Sequence, residues 1–164
     1  MGESIQETLY KDKIRVCAFT GNRELGRDFS PEKLFDRIEE LIKKGTEIFY
    51  HGGAKGFDLI AAECVLFLKK KYPKIKLVTC IPCLEQDKYY SEEEKQRYRA
   101  ILKKSDEKIV LSEQYFKGCM LVRNRYMADK ADALIAYKNK NNGGTAYTVN
   151  YFSKKYPFKE IFFI

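Results

Sequence analysis

Two scarcities narrow this chain before any motif is read: a single histidine, His51, and no long apolar run. One imidazole and no second ligand pair leave a tetrahedral zinc site without its donors, so no metal centre is expected. With no apolar stretch long enough to cross a bilayer and no signal-peptide core, the chain reads as soluble and cytoplasmic, with no membrane partner. Gln6 stands where N-myristoylation would need Ser or Thr, so Gly2 is not a lipid anchor. The five cysteines are odd in number and mostly fall inside expected strands and helices, which suits reduced thiols. Cys80-Ile81-Pro82-Cys83 has redox spacing, but Cys80 lies within an apolar strand and Glu85 and Asp87 follow Cys83 where a thiolate would want positive potential. No linker or internal repeat divides the 164 residues, so one domain over 14–164 is expected behind a polar arm, 1–13.

What the chain has in excess is positive charge. Its 31 lysines and arginines against 23 acids give a net +8, which favours phosphates or nucleic acid as partners, although the lysines read as scattered over helix faces.

The stretch Glu47 to Glu63 organises the rest. Ile48-Phe49-Tyr50 is apolar and aromatic, as a parallel strand covered on both faces should be. Gly52, Gly53 and Gly56 then let the backbone turn and approach a ligand, and Asp58 stands where an acid caps or opens a helix. The helix N-terminus would face an anion with free N–H groups. On this reading a phosphate approaches the backbone at Gly53, so a β-branched side chain there abolishes binding more than it harms folding.

Similar units repeat along the chain. Ile14 to Phe19 is a strand ending in Thr20-Gly21-Asn22-Arg23; Ser30 and Pro31 open a helix with Leu34, Ile38, Leu41 and Ile42 on one face. Lys76 to Pro82 is a strand, and Ser91 with Glu94 forms a capping box for the next helix. Lys108 to Ser112, Ala133 to Tyr137 and Glu160 to Ile164 are strands, separated by helices from Cys119 to Lys130 and from the turn Asn141 to Thr145 to about Lys155. Six strands alternating with five helices predict an α/β, Rossmann-like, doubly wound and mostly parallel sheet with helices on both faces. Ligands bind such sheets at the carboxyl ends of the strands, where Gly21 to Arg23, Gly52 to Gly56 and Gly143 to Thr145 fall.

Arg123 and Arg125 lie in the first half of a helix and point nearly opposite ways at about 100° per residue. Arg123 shares the core-side face with Met120 and Met127 and would need a partner there, whereas Arg125 reads as exposed.

FTGNR, GGAKGFD, IPC, GCMLVRNRYMADKADALIA and GGTAYT, in that order and spacing, resemble the YpsA/YoqJ-like branch of the SLOG superfamily, which groups the DNA-processing protein DprA with the lonely-guy cytokinin-activating enzymes. The resemblance covers nearly the whole chain. In this branch the first turn usually reads GHR, and Asn22 replaces the histidine. The lonely-guy enzymes, phosphoribohydrolases of nucleoside monophosphates, carry RKxxM, DAxI and PGGxGTxxE. Arg123, Met127, Asp132, Ala133, Ile135, Gly144 and Thr145 match that pattern, with Asn124 for the lysine and Thr148 where the catalytic glutamate is expected. An oxocarbenium-like state would then need Asp58 or Glu63 in its place. DprA implies a basic pocket for single-stranded DNA through its GGARGID-like turn and RNR helix start, matched by Gly52 to Asp58 and Arg123-Asn124-Arg125.

The function expected from these features is binding of a nucleotide or nucleotide-derived ligand at the glycine turns. The binding set is Gly21, Asn22, Arg23, Gly52, Gly53, Ala54, Gly56, Asp58, Arg123, Asn124, Gly143, Gly144 and Thr145. Two alternatives stay open: a nucleoside 5′-monophosphate N-glycosidase using Arg123, Asp58 or Glu63, and a binder of single-stranded nucleic acid. No cofactor beyond the nucleotide-derived ligand is implied, and a homo-oligomer is left open.

Overall fold

The computed structural model describes residues 13–164, so all of the expected polar arm but Lys13 lies outside the described residues. Six strands, β1 (Val16–Gly21), β2 (Ile48–His51), β3 (Lys76–Ile81), β4 (Glu107–Val110), β5 (Ala133–Tyr137) and β6 (Glu160–Phe163), form one sheet in the order β4-β3-β2-β1-β5-β6. Every pairing is parallel, where the sequence pattern required only that most be so. Five helices alternate with them: α1 (Pro31–Lys43), α2 (Phe57–Lys69), α3 (Glu92–Lys104), α4 (Cys119–Lys130) and α5 (Gly144–Lys155).

The local chemistry explains the elements. Ser30 accepts the N–H of Lys33 at 3.2 Å and Pro31 opens α1, whose buried Leu34, Ile38, Leu41 and Ile42 form one stripe. Ser91 and Glu94 close a reciprocal capping box on α3. At the amino edge, Asp132 Oδ2 accepts the N–H groups of Arg15 at 3.1 Å and Val16 at 2.9 Å, tying the start of β5 to that of β1. Side chains alternate across the sheet into two cores. Cys17, Phe19, Phe49, Leu77, Ile135 and Tyr137 pack beneath α1, α2 and α3, whereas Ala18, Val78, Cys80 and Leu134 pack with Met127 and Phe152 of α4 and α5.

The strand order reverses between β1 and β5, which opens a crevice at their carboxyl ends. The loops there are tied together: Asn22 N–H donates to Tyr137 O at 3.1 Å, and Asn22 Oδ1 accepts the Asn139 N–H at 2.8 Å. Gly21 sits at this junction for lack of room, since a Cβ would overlap the Phe57 side chain. Phe57 is itself stacked on Tyr137 at 6.1 Å between centroids and cannot swing away. Gly21→Ala should therefore cost about 3 kcal/mol of stability by overpacking, seen as an earlier midpoint in urea unfolding.

Candidate functional site

The crevice is a cleft of about 460 Å³ lined by residues from the carboxyl ends of β1 and β5 and from the starts of α2, α4 and α5. Its back wall is the glycine turn after β2, and that turn is braced from every side. Arg123, only 3% exposed, comes across from α4. Its Nη1 donates to Gly52 O, to Cys80 O at 3.4 Å and to Gln86 Oε1 at 3.3 Å, while Nε donates to Asn124 Oδ1 at 2.9 Å. Gln86 Nε2 also donates to Gly52 O at 2.9 Å, and the Tyr90 hydroxyl donates to Gly53 O at 2.9 Å. The partner expected for Arg123 is thus mostly carbonyl oxygen.

Asp58 holds the same turn by its N–H groups. Its Oδ2 accepts from Gly52 at 3.1 Å and Ala54 at 3.4 Å, so the carboxylate clamps the preceding loop and does not cap α2, whose N-cap is Gly56. Burial is the largest influence on this carboxyl and raises its pKa above the ordinary range; Arg123 and the two N–H groups pull the other way. His51 takes the N–H between them. Its Nδ1 accepts from Gly53 at 3.1 Å, which leaves Nε2 to carry the proton and donate to Thr79 Oγ1 at 2.6 Å. Thr79 passes its own proton toward Ser105 Oγ at 2.6 Å, and Ser105 donates to Ile101 O at 2.8 Å. Burial, then the nearby Arg123, pushes the imidazole down to about 3, so it is neutral.

These contacts correct the reading of the turn as a phosphate cradle. The N–H groups of Gly52, Gly53 and Ala54 are already taken. A Cβ on Gly52 would overlap the Arg123 guanidinium, and one on Gly53, at φ +68°, would lie 2.6 Å from Tyr98 Cε2. Gly53 is therefore required by the packing, and Gly56 by the close passage of the Arg23 carbonyl.

What faces the cleft is a second set of atoms. Thr20, Asn22, Asp58, Arg123 and Thr145 are each at most 6% exposed and line it. Among the described residues no walled-in side-chain nitrogen or oxygen lacks a partner. Thr20 Oγ1, Asn22 Nδ2, Asp58 Oδ1, Arg123 Nη2 and Thr145 Oγ1 have no hydrogen-bond partner among the described residues, so they are open to solvent at the cleft. Arg23, Lys55 and Lys140 stand around it against one further acid, Glu24. Gly21, Ala54, Asn124 and Gly144 complete the part of the expected set that reaches the lining. Gly143 is the N-cap of α5, behind the lining.

Other expected residues lie elsewhere. Glu63 is held on the outer surface of α2 by Arg97, Nε to Oε1 at 3.1 Å, beside a separate groove. Thr148 is 2% exposed, and its hydroxyl donates back to Gly144 O at 2.7 Å, out of the cleft. Arg125 donates to the Tyr147 hydroxyl at 2.7 Å on the outer face. The Cys80 thiol is pushed up to about 12 by burial, which fits an inert core thiol. Sequence reasoning missed Thr20, Lys55, Asn139 and Lys140, although each falls within two residues of a turn it had marked.

A helix N-terminus can bind anions only if its own side chains leave it free. The two serine-started helices, α1 and α3, are capped by side chains; α2, α4 and α5 begin at Gly56, Gly118 and Gly143 with no side-chain cap. These three contribute residues to the cleft.

Comparison with known proteins places this geometry. The family model described as the YspA SLOG family matches residues 17–163. The SPbeta prophage-derived protein YoqJ of Bacillus subtilis (strain 168) is 37% identical over 138 residues, covering 76% of this chain and 81% of the relative. UPF0398 protein YpsA of the same strain is 28% identical over 155 residues, covering 87% of this chain and 84% of the relative. DNA processing protein A from Streptococcus pneumoniae shares the fold at a TM-score of 0.65 and 22% identity, over 90% of this chain and 49% of that one. The corresponding protein from Helicobacter pylori, described for its single-stranded DNA binding mode, has a TM-score of 0.63 and 26% identity, over 95% of this chain and 67% of that one. The chain thus spans about half the length of the first of these two structures.

The bracing predicts two outcomes. Gly53→Val should fail by misfolding, because both its φ and its nearest neighbour forbid the side chain; circular dichroism would show loss of cooperative unfolding. For Asp58 the raised pKa means that its share of stability is complete below the ordinary carboxylate pKa and is lost as pH rises through the folded value. Asp58→Asn keeps the acceptor for both N–H groups and removes that loss, so urea unfolding should find it equal to the unmodified protein below the ordinary carboxylate pKa and more stable above the folded value.

Proposed function

The chain belongs to the YspA SLOG family, and we propose that its cleft holds a nucleotide or a nucleotide-derived anion. One observation carries the reading: four buried side chains, Thr20, Asn22, Arg123 and Thr145, each offer the cleft a hydrogen-bonding atom with no partner among the described residues, and Asp58 offers a carboxylate oxygen of the same kind beside them. These atoms are open to solvent, so a ligand gains by replacing loose solvent partners with five donors and acceptors already held in one place.

The chemistry of the set selects the ligand. The α5 N-terminus with the Thr145 hydroxyl, Arg123 Nη2, Arg23 and Lys140 suits a phosphate, as dipole, donors and charge act together. Asp58 Oδ1 can only accept while ionised, so it takes a hydroxyl or amine of the same ligand, as a sugar supplies. At about 460 Å³ the cleft has the size of a small-molecule site. The H. pylori neighbour described as binding single-stranded DNA supports a ligand of this phosphate and sugar chemistry.

Binding without turnover is the form of the proposal. Thr148 stands where the family resemblance placed a catalytic acid, and it is packed and back-bonded; a carboxylate substituted there would be buried in α5, away from the cleft. Asp58 already clamps two N–H groups.

Thermal unfolding with a panel of nucleoside monophosphates and diphosphates tests this directly. At least one should raise the midpoint, and Thr145→Val or Arg23→Ala should weaken its binding by about 1–3 kcal/mol while leaving the ligand-free midpoint in place. No member of the panel shifting the midpoint would end the proposal. A companion incubation with adenosine and cytidine monophosphates, read by chromatography, should show no free base. Base release that disappears in Asp58→Asn would replace binding by N-glycoside cleavage.

A further inference from the structure

The chain's charge is gathered in one unit of the fold, contrary to the scattered reading of its lysines. Residues 117–159 hold nine of the lysines and arginines against two acids, Asp129 and Asp132, a net +7 of the chain's +8. From Lys138 to Lys159 there are five lysines and no acid. Asp132 is spent on the β1 backbone, so the outer surface of α4 and α5 meets solvent with Asp129 as its one carboxylate.

That surface is also lined with tyrosine along the seam between the two helices. Arg125 donates to Tyr147, which is 36% exposed; Tyr147 and Tyr151, one turn apart, hold their rings 13° from parallel with centroids 6.4 Å apart. Asp129 receives the hydroxyls of Tyr151 and Tyr156 and the Lys155 ammonium at 2.7–3.0 Å, so it orients rings and cation together. Lys155 lies 5.3 Å over the Tyr151 ring, and Lys154, one turn on from Tyr151, is exposed on the same face. The seam begins beside the cleft, because Asn124 and Gly144 line the cleft while Arg125 and Tyr147 head the seam.

We propose that the α4–α5 seam is a binding track for single-stranded nucleic acid. Its lysines meet phosphates, and its ordered tyrosine rings offer faces to unpaired bases, a combination that a duplex, with its bases already stacked, cannot use. The track does not depend on the cleft holding a nucleotide: its residues are separate and its readout is a polymer's affinity.

Fluorescence anisotropy with a labelled oligothymidylate tests it. Binding should weaken linearly in log–log coordinates as salt rises. Lys154→Gln/Lys155→Gln should reduce that slope by about 1.4, roughly 0.7 for each single-strand phosphate that no longer meets an ammonium. Tyr147→Leu should weaken binding several-fold or more with the slope unchanged, as removal of a stacking ring does. Lys103→Gln/Lys104→Gln, on exposed α3, makes the same change in net charge and should leave the slope as it was. An equal effect in that α3 variant, equal affinity for a duplex of the same length, or no effect of Tyr147→Leu would each overturn the proposal. Nucleotide-induced thermal shifts, measured on the same variants, should stay unchanged, so failure of the track and failure of the cleft reading are told apart.

Discussion

The guanidinium of Arg123 is the group on which the cleft depends. It is a buried cation whose cost of leaving water is met by two backbone carbonyl oxygens, the side-chain amide oxygens of Gln86 and Asn124, and the nearby Asp58. Those acceptors come from the ends of β2 and β3 and from the loop after β3. One planar group therefore ties α4, which covers one face of the sheet, to the turn that leads into α2 on the other. Gly52 exists to let it in. The same residue keeps one nitrogen open to the cleft, so the brace of the fold is also part of the cleft wall.

Shared use of this kind explains why the turn after β2 looks like a ligand cradle in sequence and is something else in space. A glycine pair before a helix signals close approach of another group, and the group here is protein: Arg123 at Gly52, Tyr98 at Gly53 and the Arg23 carbonyl at Gly56. The cleft-facing atoms come from residues with side chains, set on a backbone that the glycines allow to pack. Rigidity in the back wall holds the five open atoms in fixed places, the preorganisation that the proposed binding would need.

Much of the fold was legible because its signals are local and repeated. Ser30-Pro31, the Ser91–Glu94 box and the fully apolar Ala133 to Tyr137 each declare their element within a few residues, and β5 and α4 fall on the expected bounds. The switch point could not be read the same way, since it rests on which strands pair across the chain. The site was half legible. Turns marked by Gly21, Gly144 and Arg123 do converge, but Glu63 was misplaced because five residues on from Asp58 carries a helix to another face. Gln86 and Tyr90, which hold the turn from the loop after β3, sit in a stretch with no motif of their own, and only the tertiary packing assigns them.

The chain from His51 through Thr79 and Ser105 to Ile101 has every proton pointing the same way, and its last acceptor is a carbonyl that cannot pass one on. The relay is a one-way street with a closed end. The sole imidazole of the protein is thereby silenced as a pH sensor, since accepting a second proton would cost it the bond from Gly53. In the wall behind the cleft, the group left to answer a change of pH is Asp58, whose carboxyl burial pushes above its ordinary value. The imidazole is thereby a fixed brace of the turn, and the carboxylate that shares the turn is its one titrating clamp.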